Sequence, residues 1–371
     1  MGDEQPLIGD EKRRPLITHR ALCIVGAASS IAALVVAFLG LSQFDLPVVR
    51  YVRSVTAHIP RQQLTIPWMA FTSDVGNWIG EGTHLVVLSV VLAAAGWMFS
   101  QSAVMKAGID TLLAHGLAAL VVNGLKHLIG RPRPKFAHSG EWQVAPSFAS
   151  GFDSFPSGHT AATFAVATVL AKRFPTIGAL CLGVAAFVMF SRIFRGSHFP
   201  TDALGGAVFG ALSGAIAAAP LKQWRASLLD GLLRTAIGAS ATLALLWTVS
   251  RPMEAGVPGV LFIGLGLAAT MSGLWIRRVE WGHCQTSGVE PPAKVSTMLI
   301  AYGLASMTTS LYVIAASGLT CVAYWINGIC MPPEERSETH SWPVIREGLL
   351  LVGVLLTLVI LYAEREIMPF H

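Results

Sequence analysis

The sequence predicts an all-α, polytopic membrane protein: a bundle of about ten transmembrane helices. The 371 residues are 53% hydrophobic and only 13% charged, and the mean hydropathy is positive. Several apolar runs reach the ~20 residues that a helix needs to cross a bilayer. The chain carries a net charge of +5, but its basic residues lie at the ends of the apolar runs, where they act as topology determinants. This distribution argues against a nucleic-acid partner.

The N-terminal part predicts one span followed by short interfacial helices. Residues 1–20 form a polar tail with a basic cluster, and we interpret the apolar run 21–42 as a retained first span rather than a cleaved signal peptide. The basic flank places the N-terminus in the cytoplasm. Residues 43–80 mix prolines with aromatic residues, which favours short helices at the outer membrane interface.

Five further spans are predicted before residue 220, at 83–99, 107–129, 157–171, 176–194 and 201–219. With alternate crossings, the basic residues that follow the fourth and sixth spans fall on the cytoplasmic side. The same alternation brings three polar stretches to the opposite face. These are KHLIGRPRP (126–134), FPSGHT (155–160) and SRIFRGSHFPTD (191–202).

Four more spans are predicted beyond this region, at 229–249, 257–276, 295–316 and 348–362. The apolar run 295–330 is too long for one span and short for two, so the total of ten holds to within one. We therefore divide the chain into a cytoplasmic tail (1–20), a six-span core (21–220) and a C-terminal transmembrane extension (221–371) of unknown role.

The three polar stretches combine residue types that suit phosphate chemistry. His198 and Asp202 are four residues apart at a predicted helix start, so the carboxylate can reach one ring nitrogen and fix the tautomer. Lys126, Arg133 and Arg192 supply three positive charges, and arginine can grip a phosphate through two parallel hydrogen bonds.

The start of the fourth predicted span adds a second kind of anion site. Ser157 and Gly158 open this helix, so their backbone N–H groups and the serine hydroxyl would face an anion. Such a pocket suits a phosphoryl group and its transition state.

The combined pattern KxxxxxxRP, PSGH and SRxxxxxHxxxD resembles the three-part signature of the phosphatidic acid phosphatase type 2 superfamily, whose site is similar to that of vanadium haloperoxidases. The resemblance covers roughly residues 20–220, and its ordered positions are far more specific than a lone short motif. Every fixed position is filled, by Lys126, Arg133, Pro134, Pro156, Ser157, Gly158, His159, Ser191, Arg192, His198 and Asp202.

The resemblance implies a role for each matching residue. His198 would attack phosphorus in line to form a phosphohistidine, and Asp202 would orient and polarise it. His159 would protonate the leaving oxygen and then activate water. The phosphate would be bound by Lys126, Arg133, Ser157, Gly158 and Arg192. No metal or other cofactor is implied, because cationic side chains already fill the role of a metal. Four flanking residues have no fixed place in the signature: His127, Arg131, Asp153 and Arg195.

The implied function is an integral-membrane lipid phosphatase acting on phosphatidic acid, phosphatidylglycerophosphate, undecaprenyl diphosphate or a lipid A phosphate. A lipid phosphotransferase using the same phosphohistidine is an alternative, as is a phosphatase core coupled to lipid transport or partner docking by the C-terminal spans. The expected partners are the lipid substrate and membrane lipids, and the sequence leaves any protein partner open. We expect a bacterial inner membrane with a periplasmic site, with a eukaryotic endomembrane and a lumenal site as the alternative.

Overall fold

The computed structural model describes residues 14–57, 67–136, 145–250, 257–287 and 294–330. Within these ranges the protein consists of α-helices and one 3-10 turn at Pro134–Phe136, which confirms the all-α class. The helices are α1 (Arg14–Ser42), α2 (Asp45–Ala57), α3 (Pro67–Ile79), α4 (Gly82–Met98), α5 (Ser102–Ile129), α6 (Gly158–Arg173), α7 (Pro175–Phe194), α8 (Pro200–Ala217), α9 (Trp224–Ser250), α10 (Val257–Ser287), α11 (Lys294–Met307) and α12 (Leu311–Cys330).

Five of the described helices are long and apolar enough to cross a bilayer: α1, α5, α7, α9 and α10. Helices α3 and α4 make a sixth candidate if they are taken together, because they form an apolar pair bent by 51° at a short break. The protein is therefore a multi-pass integral membrane protein. The stretch 43–80 contains two short helices, α2 and α3, as predicted, and their position at the interface stays a prediction.

Helices α6 and α8 lie at the centre of the bundle, although neither is among these candidates. Helix α6 packs against α5, α7 and α8, and α8 also packs against α5 and α9. Many of their residues are small and buried. These small residues face other helices and allow close packing.

Three glycines on α8 allow this central pair to pack closely. A Cβ on Gly206 or on Gly210 would overlap the carbonyl oxygen of Ser157 or Ala161, and one on Gly214 would lie 2.5 Å from the carbonyl oxygen of Ala165. Small residues at four-residue spacing let two helix backbones approach each other. The starts of α6 and α8 are thereby held side by side.

The C-terminal helices share a hydrophobic core with the N-terminal half. Helix α9 packs against α8 and α1, α12 packs against α1 and α9, and α10 pairs with α11. Leu41 and Phe44 near the end of α1, Leu204 of α8, Leu243 of α9 and Val313 of α12 belong to one buried cluster. The first helix therefore joins the extension to the central pair.

The single span predicted at 295–316 is wrong. Helix α11 ends at Met307 and α12 begins at Leu311, with Thr309 in the left-handed region at φ 58°. The hydroxyl of Thr308 donates to the carbonyl of Ala305 at 2.7 Å, and such local bonds compete with helix continuation. Of the other three predicted C-terminal spans, two correspond to α9 and α10. The third, 348–362, lies outside the described residues, as do residues 1–13 of the predicted tail 1–20 and the loop 137–144. Helix α1 begins at Arg14, within that predicted tail.

Candidate active site

The first signature stretch begins where α5 ends. Gly130 terminates the helix in the left-handed conformation, φ 57°, with its N–H donating to the carbonyl of Lys126 at 2.8 Å. A Cβ at this position would overlap the carbonyl oxygen of Ala145, so only glycine fits. The turn keeps Lys126 in the last helical turn and sends the following arginines into the site.

Arg131 lies at the buried centre of the site, with 1% of its surface exposed. Its Nη1 donates to Asp202 Oδ1 at 2.5 Å and to Thr201 Oγ1 at 2.8 Å, and its Nη2 donates to Asp45 Oδ2 at 2.8 Å. The guanidinium also lies 4.2 Å from the ring centre of Phe199. A charge buried this deeply is tolerated only when it is paired and hydrogen-bonded, and here two carboxylates flank it.

Asp45, the first residue of α2, ties a segment outside the signature to this centre. Its Oδ1 accepts from the Thr201 N–H at 3.0 Å, and its Oδ2 accepts from the Thr201 hydroxyl at 2.5 Å. Burial raises the pKa of Asp45 to about 6; the charge of Asp202 also raises it, while Arg131 and the hydrogen bonds lower it. Asp45 therefore remains mostly ionised at pH 7.

Ser154 connects all three signature stretches. Its N–H donates to the carbonyl of Arg131 at 3.0 Å, and its hydroxyl donates to Asp202 Oδ2 at 2.5 Å. Its carbonyl lies 2.8 Å from His198 Nδ1. A carbonyl can only accept, so Nδ1 carries the proton and Nε2 keeps its lone pair.

The predicted carboxylate contact to His198 is longer than a hydrogen bond. Asp202 Oδ2 lies 3.8 Å from Nδ1, and it also accepts from the N–H of Phe199 at 2.9 Å. Ser154 therefore bridges the imidazole and the carboxylate. Burial lowers the pKa of His198 below its ordinary value, although Asp202 opposes this shift. The neutral imidazole is favoured.

Three predicted phosphate-binding cations, Lys126, Arg133 and Arg192, form what we term the cationic cup. Arg133 donates from Nε and Nη2 to the two carboxylate oxygens of Asp153, at 2.8 and 2.6 Å. Lys126 Nζ lies 3.8 Å from the same carboxylate. Burial would raise the pKa of Asp153, but the hydrogen bond and charge of Arg133 and the charge of Lys126 lower it below its ordinary value.

Arg192 leaves a donor free for a ligand. It is 5% exposed, and its Nη1 donates to Asn77 of α3 at 2.6 Å. Its buried Nε has no hydrogen-bond partner among the described residues. Helix α3 reaches Arg192 because Gly76 has no side chain: a Cβ there would overlap Ser191.

The start of α6 faces the cup. A Cβ added to Gly158 would lie 3.6 Å from Lys126 Nζ. The first N–H groups of a helix have no partner within it and favour an anion. The prediction for the Ser157 N–H is wrong, however, because it donates to the carbonyl of Asp202 at 2.9 Å. Ser157 is fully buried, and its Oγ accepts from Thr160 Oγ1 at 3.0 Å, so its own proton remains available.

His159 stands beside both the cup and the second imidazole. It lies close enough to His198, Arg192 and Lys126 for their charges to act on it. A cavity opens next to it between α4, α5 and α6, with His115 and Asn123 among its polar lining residues. The buried Nδ1 of His115 has no partner among the described residues.

The structure brings the eight predicted site residues to one end of the central helix pair. It also adds residues to which the sequence analysis gave no role: Asp45, Asn77, Arg131, Asp153 and Ser154. Arg131, Asp153 and Ser154 lie within or next to signature stretches, and that proximity was the available signal. Asp45 and Asn77 are isolated polar residues far away in the sequence, and no local pattern indicates them.

Residues 107–225 match the family model described as the PAP2 superfamily. The chain is 32% identical over 145 residues to a lipid A 1-phosphatase of Rhizobium johnstonii, covering 36% of this chain and 59% of that protein. It is 33% identical over 136 residues to undecaprenyl-diphosphatase BcrC of Bacillus subtilis, covering 35% and 66%. It is 31% identical over 157 residues to phosphatidylglycerophosphatase B of Bacillus subtilis, covering 39% and 72%.

The chain thus spans less than two thirds of the length of the lipid A 1-phosphatase that it matches. The matched segment contains all three signature stretches, from Lys126 to Asp202. These matches show that the chain belongs to the PAP2 superfamily.

Proposed function

We propose that this protein is a metal-independent lipid phosphatase that removes a terminal phosphate from a lipid phosphate or diphosphate. The observation that carries the proposal is the buried Nε of Arg192, which has no partner in the part of the chain that the structure describes and lies within a cluster of cations and two imidazoles. A buried donor without a partner costs free energy unless a ligand satisfies it. A phosphoryl oxygen is the acceptor that such a cluster fits best.

The proposed reaction has two steps. His198 Nε2 attacks phosphorus in line, the bond from phosphorus to the lipid oxygen breaks, and His159 gives that oxygen a proton. Ser154 and Asp202 stabilise the imidazolium that forms on His198. In the second step His159 takes a proton from water, the water oxygen attacks phosphorus, and the bond to His198 breaks to release phosphate.

The leaving lipid would lie on the His159 side of the cup. The adjoining cavity has room next to this histidine, and its polar residues His115 and Asn123 can contact groups near the cleaved bond. Relatives named for lipid A, undecaprenyl diphosphate and phosphatidylglycerophosphate make these lipids, together with phosphatidic acid, the candidate substrates.

We also propose that the site faces the non-cytoplasmic side of the membrane, the periplasm in a bacterium. Helix α6 carries His159 at one end and the basic pair Lys172 and Arg173 at the other. Basic residues are retained on the cytoplasmic side, which leaves the cup on the opposite face.

The test is a panel of lipid phosphates presented to the purified protein, with inorganic phosphate and any phosphorylated acceptor both measured. We expect free phosphate from at least one lipid, and a loss greater than about a thousandfold in His198→Ala, as for other removed nucleophiles. Phosphorylated acceptor in place of free phosphate would identify a phosphotransferase. Activity that stops in EDTA and returns with magnesium would contradict the metal-independent mechanism.

A further inference from the structure

The carboxylate of Asp153, a residue of the protein itself, binds to two residues of the cationic cup. Arg133 grips it through two hydrogen bonds at 2.8 and 2.6 Å, and Lys126 lies 3.8 Å away. This two-pronged geometry is the one that arginine offers to a phosphate. Two of the three cations that would bind a substrate phosphate are therefore already engaged by an anion of the protein.

The backbone around Asp153 is anchored on both sides, so the carboxylate stays within reach of the cup. The Ser154 N–H donates to the carbonyl of Arg131 at 3.0 Å, and the Arg133 N–H donates to the carbonyl of Gly151 at 2.8 Å. A partner tethered this closely acts at an effective concentration on the order of millimolar or above. That range makes it a real competitor for free phosphate.

The side chain can nevertheless leave. It is 32% exposed, unlike the fully buried Asp202, and the side chains that hold it among the described residues are those of Arg133 and Lys126. An incoming phosphate that contacts the free Nε of Arg192 can take over Arg133 while the carboxylate turns towards solvent.

We propose that Asp153 is an internal competing ligand that sets the affinity of the cup for phosphate groups. This proposal rests on the proposed function for the identity of the ligand, a phosphate group. The carboxylate must be displaced before substrate binds, and it returns when product phosphate leaves. Because it is displaced in both the substrate complex and the transition state, it weakens binding uniformly and leaves the chemical step unchanged.

The competing explanation is that Asp153 only positions Arg133, and it predicts the opposite sign. Removing a positioning partner would misplace the guanidinium and weaken phosphate binding. Removing a competitor would strengthen it. The substitution Asp153→Asn keeps the size of the side chain and removes its charge, so the sign of the change decides between the two.

The experiment is a calorimetric titration of inorganic phosphate into the full-length purified protein. We expect the dissociation constant to fall at least tenfold in Asp153→Asn and to stay near the wild-type value in Asp153→Glu, which keeps the charge. The matched control is Asp230→Asn, which removes the same charge from an ion pair with Arg234 on α9. This control should leave phosphate affinity unchanged. Unchanged or weaker binding in Asp153→Asn would overturn the proposal.

Kinetics provide a second readout. In Asp153→Asn, KM for the lipid and the inhibition constant for phosphate should fall by similar factors. The rate constant of the chemical step should stay the same, so kcat should not rise. A fall in kcat with unchanged KM would contradict the proposal. The titration needs no turnover, so tighter phosphate binding in a protein that hydrolyses no lipid would refute the phosphatase function and leave the role of Asp153 standing.

Discussion

The proton position on His198 decides whether this residue can act as a nucleophile. The carbonyl of Ser154 fixes the proton on Nδ1, and burial favours the neutral ring. Both effects leave Nε2 with a lone pair at neutral pH. The side chain is thus prepared for attack without a neighbouring base.

The first residue-scale prediction concerns pH. Because the pKa of His198 is lowered, protonation should reduce kcat only below the ordinary histidine value of about 6.5. Asp202 opposes this shift, so Asp202→Asn should move the acid limb to still lower pH while lowering kcat. The measurement is kcat as a function of pH for the wild type and the variant. Both proteins are given the same substrate, so that its own ionisation affects both profiles equally. A limb that moves to higher pH in the variant would contradict the assignment.

The second residue-scale prediction concerns Asp45, which holds Arg131 and Thr201 from outside the signature. Asp45→Asn leaves Arg131 with one fewer carboxylate, so we expect kcat to fall about tenfold or more, which is about 1.4 kcal/mol, with little change in KM. Asp230→Asn again serves as the control.

The pH dependence separates this positioning role from general destabilisation. The pKa of Asp45 is raised to about 6, so the wild-type side chain loses its charge as pH falls through that value. The ratio of wild-type to variant kcat should therefore shrink between pH 7.5 and pH 5. A constant ratio would argue for a purely structural defect.

At the scale of helices, the glycines of α8 determine how closely the two imidazole-bearing segments approach. Helix α6 carries His159 in its first turn, and α8 begins just after His198. We predict that Gly210→Ala, whose Cβ would overlap the carbonyl of Ala161, costs about 1–3 kcal/mol of stability and most of the phosphatase activity.

The control for this helix-scale prediction is Gly183→Ala on α7, where a Cβ meets nothing within 4 Å. Thermal unfolding in detergent and phosphate release should both distinguish the two variants. Equal stability and activity in the two variants would show that neither property depends on the close approach of α6 and α8.

Helix existence was largely predictable from hydropathy, but breaks and bends were not. The apolar pattern of 295–316 continues through the break between α11 and α12, where the hydroxyl of Thr308 donates to the carbonyl of Ala305. The bend between α3 and α4 likewise follows from packing, since Gly76 and Gly80 lie against α7. Hydropathy measures the solvent that a helix prefers and carries little information about such local geometry.

At the scale of the whole molecule, the proposed core (21–220) and extension (221–371) share one hydrophobic cluster. Leu243 of α9 is fully buried there beside residues of α1, α8 and α12. We predict that Leu243→Ala lowers stability by about 2–5 kcal/mol and that the proposed phosphatase activity is lost at a lower temperature. Leu245→Ala on the same helix, 41% exposed, is the control. Indistinguishable unfolding of the two variants would mean that the extension does not support the core.

The candidate site shows the same division between what the sequence predicts and what it does not. The signature residues follow from fixed spacings such as PSGH, and the structure brings them together; their roles remain predictions. Asp45 and Asn77 reach the site only through the packing of α2 and α3, a tertiary contact across more than a hundred residues in the case of Asn77 and Arg192. Spacing rules cannot encode a contact of that kind.

The small residues and polar first turns of the central helices have a consequence for biosynthesis. Helix α8, with its glycines and an acidic first turn, is not among the described helices that are apolar enough to cross a bilayer by themselves. In the folded protein it is packed against α5, α6 and α9. We therefore expect stable insertion of α8 to depend on these packing partners, of which α9 leaves the ribosome after it.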